Sequence, residues 1–200
     1  TGNMADILRH SVVDMKSNGV TNMKKLLLAS VLVATTVSAN SMANPVWDYV
    51  GAGYTDAAGD GPYVEGSFRL NRNWVADASY ARLSNGPFDA NQLKAGLNYI
   101  MGTTLDFSPN TQTYLLGGVE NWSGDADETG AYAGVGIRHP LTPQVELYSE
   151  ATYHTVYDDH GSLAGGIAYF LSPDWAIRGN LALNSGDTKN EFRFGVSYQF

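Results

Sequence analysis

The sequence predicts an all-β fold, a transmembrane antiparallel up-and-down β-barrel of about ten strands, with eight as the alternative count. Three observations carry this. Period-two alternation recurs through residues 44–200, and no segment sustains a helical period. Tyr and Trp cluster near the ends of the alternating segments, where amphipathic rings meet a membrane–water boundary. The segments are close to the ~9–11 residues a tilted strand needs to cross a bilayer.

The N-terminal region is read first. Residues 23–43, MKKLLLASVLVATTVSANSMA, place Met23, Lys24 and Lys25 ahead of an apolar run from Leu26 to Val37. Small residues follow, so the stretch has the layout of a secretory signal peptide cut before Asn44, with a cut after Ala39 as the alternative. Its apolar run falls short of the ~20 residues a membrane-anchoring helix needs. Residues 1–22 read as an over-extended gene start or added sequence outside the fold, leaving 44–200 as the barrel.

Charge narrows the partners. Residues 1–43 carry four basic and two acidic residues, so 44–200 has eight basic against eighteen acidic, a formal −10 against −8 for the whole chain. An acidic export product is a poor binder of nucleic acid. The chain has no cysteine, so no disulfide staples it, and no clustered histidines point to a transition metal. No cofactor is expected.

The expected strands are 46–55, 62–70, 74–83, 91–101, 112–121, 131–138, 145–154, 162–171, 175–184 and 191–200. Turn chemistry separates them: DAAGDG, NRN, SNGPFD, SPN, SGDADETG, HPLTP, YDDHG, SPD and SGDTKN. Breaks after odd-numbered strands are longer on average and rich in Asp and Gly; those after even-numbered strands are mostly tight. Longer loops at one end and short turns at the other is the asymmetry of an outer-membrane barrel.

One row of side chains is apolar, as in Val64-Gly66-Phe68-Leu70 and Trp175-Ile177-Gly179-Leu181-Leu183, and would face lipid. A water-soluble sandwich could show the same alternation with the faces exchanged. The girdles expected at the two boundaries are Trp74, Tyr99, Tyr169, Trp175 and Phe200, and Tyr54, Tyr63, Tyr80, Tyr153 and Phe192. In strand 5, keeping Glu120 inside turns Trp122 inward unless a bulge intervenes. Strand 1, VWDYVGAGYT, is apolar on both faces.

The polar row lines the expected lumen. Its charged members are Glu65, Arg69, Asp77, Lys94, Glu120, Arg138, Glu146, Glu150, Arg178, Glu191 and Arg193. Near-equal numbers of acids and bases in a narrow barrel can pair and fill it, since desolvating either sign alone is costly. Inward Gly96, Gly134, Gly136 and Gly195 leave space, which favours a thin pore instead. Acidic residues fall in the expected outer loops, among them Asp125, Asp127, Glu128, Asp158 and Asp159, with Asp56, Asp60, Asp89 and Asp187 beside them. Such a rim attracts divalent cations and suits a site among lipopolysaccharide phosphates.

The chain closes on EFRFGVSYQF, with Phe192, Phe194, Val196, Tyr198 and Phe200 on one face. This strand resembles the C-terminal assembly signal of bacterial outer-membrane barrels. Signal peptide, alternating strands, acidic loops, tight turns and the Phe200 terminus together resemble the small OmpA/OmpX-type barrel superfamily. The resemblance implies an outer-membrane, Gram-negative location after export. It implies lipid and lipopolysaccharide as neighbours, and the outer-membrane insertion machinery as a partner during biogenesis. It implies a monomer. The periplasmic peptidoglycan-binding domain of full-length OmpA-type proteins is not expected after Phe200.

The function expected is a non-enzymatic barrel with a mostly filled polar lumen, contributing to membrane integrity or surface interaction. The alternative is a narrow, weakly cation-selective, porin-like channel. A lipid-modifying hydrolase is a third reading, centred on Tyr153-His154-Thr155 and His160, with His154 within reach of Glu150 on the same face. Known barrel deacylases carry His-x-Ser, whereas Val156 occupies that serine position here, so no catalytic residue is assigned. His139, beside Pro140, reads as structural and is placed in a turn.

Overall fold

A computed structural model describes residues 44–102, 110–125, 127–157, 159–186 and 188–200. The signal peptide, the upstream extension, Asp158 and Asp187 lie outside the described residues. Ten strands form: β1 Tyr49–Asp56, β2 Asp60–Arg69, β3 Trp74–Asn85, β4 Phe88–Gly102, β5 Gln112–Gly124, β6 Glu128–Thr142, β7 Val145–His154, β8 His160–Phe170, β9 Trp175–Asn184 and β10 Glu191–Gln199. Each pairs antiparallel with its sequence neighbours, and β1 pairs with β10, so the sheet closes. Closure satisfies the edge N–H and C=O groups of the first and last strands, which a hydrocarbon layer could not do.

Register fixes the faces. Gly53 lies opposite Tyr63 on one side and Gly195 on the other, and one-residue parity from there assigns every side chain. Large apolar residues point outward: Val64, Phe68, Leu97, Val135, Ile167, Leu181 and Phe194 are all at least 45% exposed. Glu120, Arg138, Glu146 and Arg178 are buried inside. A soluble sandwich would have the reverse polarity.

Several expectations are corrected. The first strand begins at Tyr49 rather than residue 46, because residues 44–48 turn into the lumen instead of pairing. The loop asymmetry is absent. Strands β3 to β6 run on into the expected loops, with Asn85 still paired to Phe88 and Trp122 to Glu128. At the end of the barrel where these hairpins turn, only 57–59, 86–87, 125–127, 155–159 and 185–190 are left between strands. Gly86, at φ 64°, makes the two-residue turn after β3 possible. The longest connection, 103–111, is at the opposite end. His139 lies within β6, not in a turn, directly before a register shift between Pro140 and Thr142. A bulge tolerates a proline, which cannot donate to the ladder.

The girdles are visible at both ends. Trp74 packs on Tyr99 at 5.0 Å between ring centroids, Trp175 on Tyr198 at 5.3 Å, and Phe68 stacks on Phe200 at 6.4 Å. Tyr54, Tyr80, Tyr153 and Phe192 are exposed at the other end. Tyr63 is not with them. It shares parity with Glu65 and Ser67 and is buried in the lumen.

Candidate functional site: the filled lumen

The interior is built in three layers. The first closes the end where β1 begins and β10 stops, the terminal mouth. Trp47, from the in-turned segment, is 2% exposed and meets Tyr114 edge-on at 5.0 Å. Its indole N–H donates to Gln112 Oε1 at 2.8 Å, and the Arg138 guanidinium lies 4.0 Å from its ring. Arg138 also donates to the Val46 carbonyl at 2.7 Å and reaches Glu146 at 3.4 Å. Glu146 accepts the Val46 N–H at 2.9 Å. A buried guanidinium therefore has a carboxylate, a carbonyl and an aromatic face around it, which is what makes a charge tolerable there. Val75 and Ile100 complete the cluster. Beside it, Arg178 stacks 3.8 Å from the Tyr49 ring and donates to Ser197 at 2.8 Å.

The third layer closes the hairpin mouth. Tyr63, Ala81, Leu83, Trp122, Ala57 and Val156 form a buried apolar cluster. All but Ala57 and Val156 come from paired strands. Tyr157 leans on Trp122 at 5.5 Å between centroids, from a loop position with φ 51°. That left-handed backbone costs a non-glycine residue on the order of 1–3 kcal/mol and is held only where packing fixes it. Partial burial, then the neighbouring Glu128 and Asp127, raise the Tyr157 phenol above its ordinary range.

Just beneath this cap, Glu120 is the hub. It accepts from Gln92 at 2.8 Å and from the Trp122 indole at 2.6 Å, contacts His154 Nδ1 at 3.0 Å, and pairs with Lys94 at 3.6 Å. Gln92 carries the network on to Arg193 at 3.3 Å, which pairs with Glu191 and lies 5.3 Å from the Tyr63 ring. His154 stacks on His160 at 4.9 Å and on Tyr132 at 5.6 Å.

Between these layers lies a cavity of about 210 Å³. Trp47 and Arg138 line its floor, His154 and Glu191 its upper wall, and Asp77, Ser79, Lys94, Asn98 and Glu150 its middle. Asp77 accepts from Asn98 at 2.6 Å, and Glu150 accepts the Tyr114 hydroxyl at 2.6 Å.

The charged row thus falls into separate groups rather than one chain. Arg138 and Glu146 are at the terminal mouth; Lys94, Glu191 and Arg193 join Glu120 near the hairpin mouth; Asp77 and Glu150 take neutral partners between. Arg178 sits with Tyr49 and Ser197. Glu65 lies against Gly51, and the Arg69 backbone N–H donates to Asp48 Oδ1 at 2.6 Å. The expected His154–Glu150 contact is replaced by His154–Glu120, because Tyr114 takes Glu150. Among the loop acids, Asp125 accepts the Asp89 N–H at 2.9 Å and so stitches two hairpins together, whereas Asp127 accepts the Gly124 N–H at 3.0 Å within its own turn. Asp159 is exposed.

The inward glycines do not leave a pore. A Cβ at Gly136 would overlap the Tyr114 ring, and one at Gly96 would overlap the Tyr132 hydroxyl. One at Gly195 would crowd the Tyr63 hydroxyl, and one at Gly134 the Thr152 side chain. At Gly96, Gly136 and Gly195 a tyrosine fills the space that glycine vacates, and at Gly134 the neighbouring strand does.

With a closed sheet, an apolar exterior and a polar, packed interior, the architecture is settled. It is that of a small, closed antiparallel β-barrel of the transmembrane type. No protein-family model matches the chain, and no curated protein matches it. Solved structures similar to it include the KdgM porin in complex with disordered oligogalacturonate, at 11% identity and a TM-score of 0.49, over 76% of this chain and 99% of that one. The N-terminal β-barrel domain of Pseudomonas aeruginosa OprF gives 12% identity and a TM-score of 0.38, over 78% of this chain and 100% of that one. Yersinia pestis Ail gives 12% identity and 0.39 over the same shares. At such identities and scores nothing of solute, partner or role carries over.

Sequence reasoning missed Trp47, Tyr114 and Tyr132 as lumen residues. Parity was available for Tyr114 and Tyr132, since each is in phase with a polar inward neighbour. Trp47 shares the parity of the inward Tyr49, but strand 1 is apolar on both faces, so alternation there does not say which face is inside.

Proposed function

We propose that the protein is a non-enzymatic, non-conducting barrel of the bacterial outer membrane, where it stabilises the membrane and presents short acidic hairpins at the surface. The observation that supports this best is the pair of buried clusters, one at each mouth, with a polar cavity between them. The hairpin mouth faces outward on this reading and the terminal mouth faces the periplasm. Outer-membrane lipid and lipopolysaccharide surround the barrel, the insertion machinery recognises the strand ending in Phe200, and the barrel works as a monomer.

Thr152 Oγ1 and His154 Nε2 are 3.0 Å apart, and His154 Nδ1 lies 3.0 Å from Glu120, so hydroxyl, imidazole and carboxylate stand in the order of a hydrolytic relay. Thr152 and His154 line the lumen cavity, away from the lipid-facing exterior, and this supports the non-enzymatic reading.

The cavity favours a second reading, a narrow and weakly cation-selective channel, through Asp77, Glu150 and Glu191 on its wall. Conductance of the refolded 44–200 protein in a planar bilayer separates the two. A silent membrane, with folding confirmed by heat-modifiable migration in detergent, is expected. Discrete, reproducible openings would replace the first reading with the second.

A further inference from the structure

The two seals are attached to the barrel differently. Residues 44–48 belong to no strand. The last tie to the ladder is at Asp48, whose carbonyl accepts the Phe200 N–H at 3.3 Å and whose carboxylate accepts the Arg69 N–H at 2.6 Å. Upstream of that point the polar contacts are to three lumen side chains, Gln112, Arg138 and Glu146, with the Tyr114 ring against Trp47. Asp48 is thus placed as a hinge.

Withdrawal of the segment strands no charge. Arg138 and Glu146 still pair with each other at 3.4 Å. The groups released, the two Val46 backbone groups and the indole N–H, would be satisfied by water. Arg138 Nε, buried without a protein partner, gains access to water as well. What holds the segment is chiefly the burial of the Trp47 indole, with Pro45 buried beside it. Because Trp47 and Arg138 form the cavity floor, its departure would open that cavity at the terminal mouth.

We propose that residues 44–48 are a hinged plug, and that it gives small hydrophilic solutes one-sided access to the central cavity from the terminal mouth while the hairpin mouth stays shut. This rests on the reading of the lumen as closed at rest. It makes the cavity a dead-end vestibule rather than a pore.

The absence of cysteine makes a direct test possible. Ser79→Cys places one thiol on the cavity wall, and Ser172→Cys places one in an exposed turn as the reference. The protein in lipid nanodiscs is treated with a small charged methanethiosulfonate. S79C should label slowly, at a rate proportional to reagent concentration. Adding Trp47→Ala should raise that rate about tenfold or more, since truncating a buried tryptophan removes most of what keeps the plug in place. Adding Gln112→Leu, which removes only the indole's acceptor, should raise it about threefold, as expected for one hydrogen bond.

Three results would overturn the proposal. Labelling in S79C/W47A no faster than in S79C, with the barrel folded, would mean that access runs elsewhere. Labelling confined to the W47A background, with none in S79C over a day, would make the segment a fixed seal. Labelling of S79C as fast as S172C would remove the closed lumen itself, a failure distinct from the other two.

Discussion

The two mouths of this barrel are closed by similar materials in different ways. At the hairpin mouth, Tyr63, Leu83 and Trp122 belong to β2, β3 and β5, so their positions are set by ladder hydrogen bonds on both sides. At the terminal mouth the central ring, Trp47, hangs from an unpaired segment and is clamped by side chains. A seal made of strand residues cannot leave without breaking the sheet. One hung from a segment can, and the free energy it lends to the fold cannot much exceed the cost of swinging it out.

The largest effect should come from breaking the clamp chemistry rather than the ring. Arg138→Leu leaves Glu146 buried with only the Val46 N–H beside it, and losing one partner of a buried pair costs about 3–5 kcal/mol. Urea unfolding in detergent micelles should register that loss. The double variant R138L/E146L should recover much of it, since well-packed apolar replacements of a buried pair are often neutral. If R138L alone unfolds at the parent's midpoint, the pair is not the anchor of the terminal mouth.

The next comparison sets ring against ring. Trp122→Ala should destabilise the barrel by about 3–5 kcal/mol, the range for large-to-small changes at packed sites. Its indole also donates to Glu120, so the hub loses a donor. Trp47→Ala removes an equally buried ring but should cost clearly less in global unfolding, because its contribution is capped by plug closure. Equal losses in the two variants would mean that the segment is integral to the fold.

Much of this was legible in the sequence, and the rest was hidden for identifiable reasons. Alternation fixes parity, and parity alone puts Glu120, Trp122, Glu146 and Arg178 inside and Val64, Leu97 and Phe194 outside. It also places Tyr63 inside, although its position near a strand end suggested the girdle. Strand lengths were underestimated because Ser84, Asn85, Ser123 and Thr129 look like loop residues. They pair above the apolar band, where polar side chains meet water and cost nothing. Glycine was read as empty space, when close ring-to-backbone contact needs the same residue. The Gly136–Tyr114 match links positions on different strands, and only the register shows which ring meets which glycine. Trp47 was hard to read for a further reason: it is in phase with Tyr49, but the stretch around it is apolar on both faces, so parity there had no polar row to mark the inside.

A smaller effect tests the middle layer. Tyr114→Phe keeps the ring against Trp47 and Gly136 but deletes the hydroxyl bonded to Glu150. Hydrogen bonds to charged groups contribute about 1.5–3 kcal/mol, so unfolding should shift by that order. Conductance should stay silent, because the ring that packs in the terminal-mouth cluster is kept. Openings in Y114F would show that the middle layer, not the mouths, blocks the lumen.

The smallest effect belongs to the hairpin rim. Lys189 and Asp56 pair at 2.6 Å between the β9–β10 hairpin and the end of β1, but both side chains are about half exposed. An exposed pair gains little Coulomb energy in water and must freeze two flexible side chains, so its usual contribution is about 0–1 kcal/mol. Lys189→Ala should therefore leave both the unfolding midpoint and the labelling rate of S79C close to those of the parent. The outcome bears on what closes the hairpin mouth. If the apolar cluster beneath does so, rim charges are dispensable and added salt changes nothing. If K189A speeds labelling of the cavity thiol, the rim holds the cap in place, and the hairpin mouth is a gate as well.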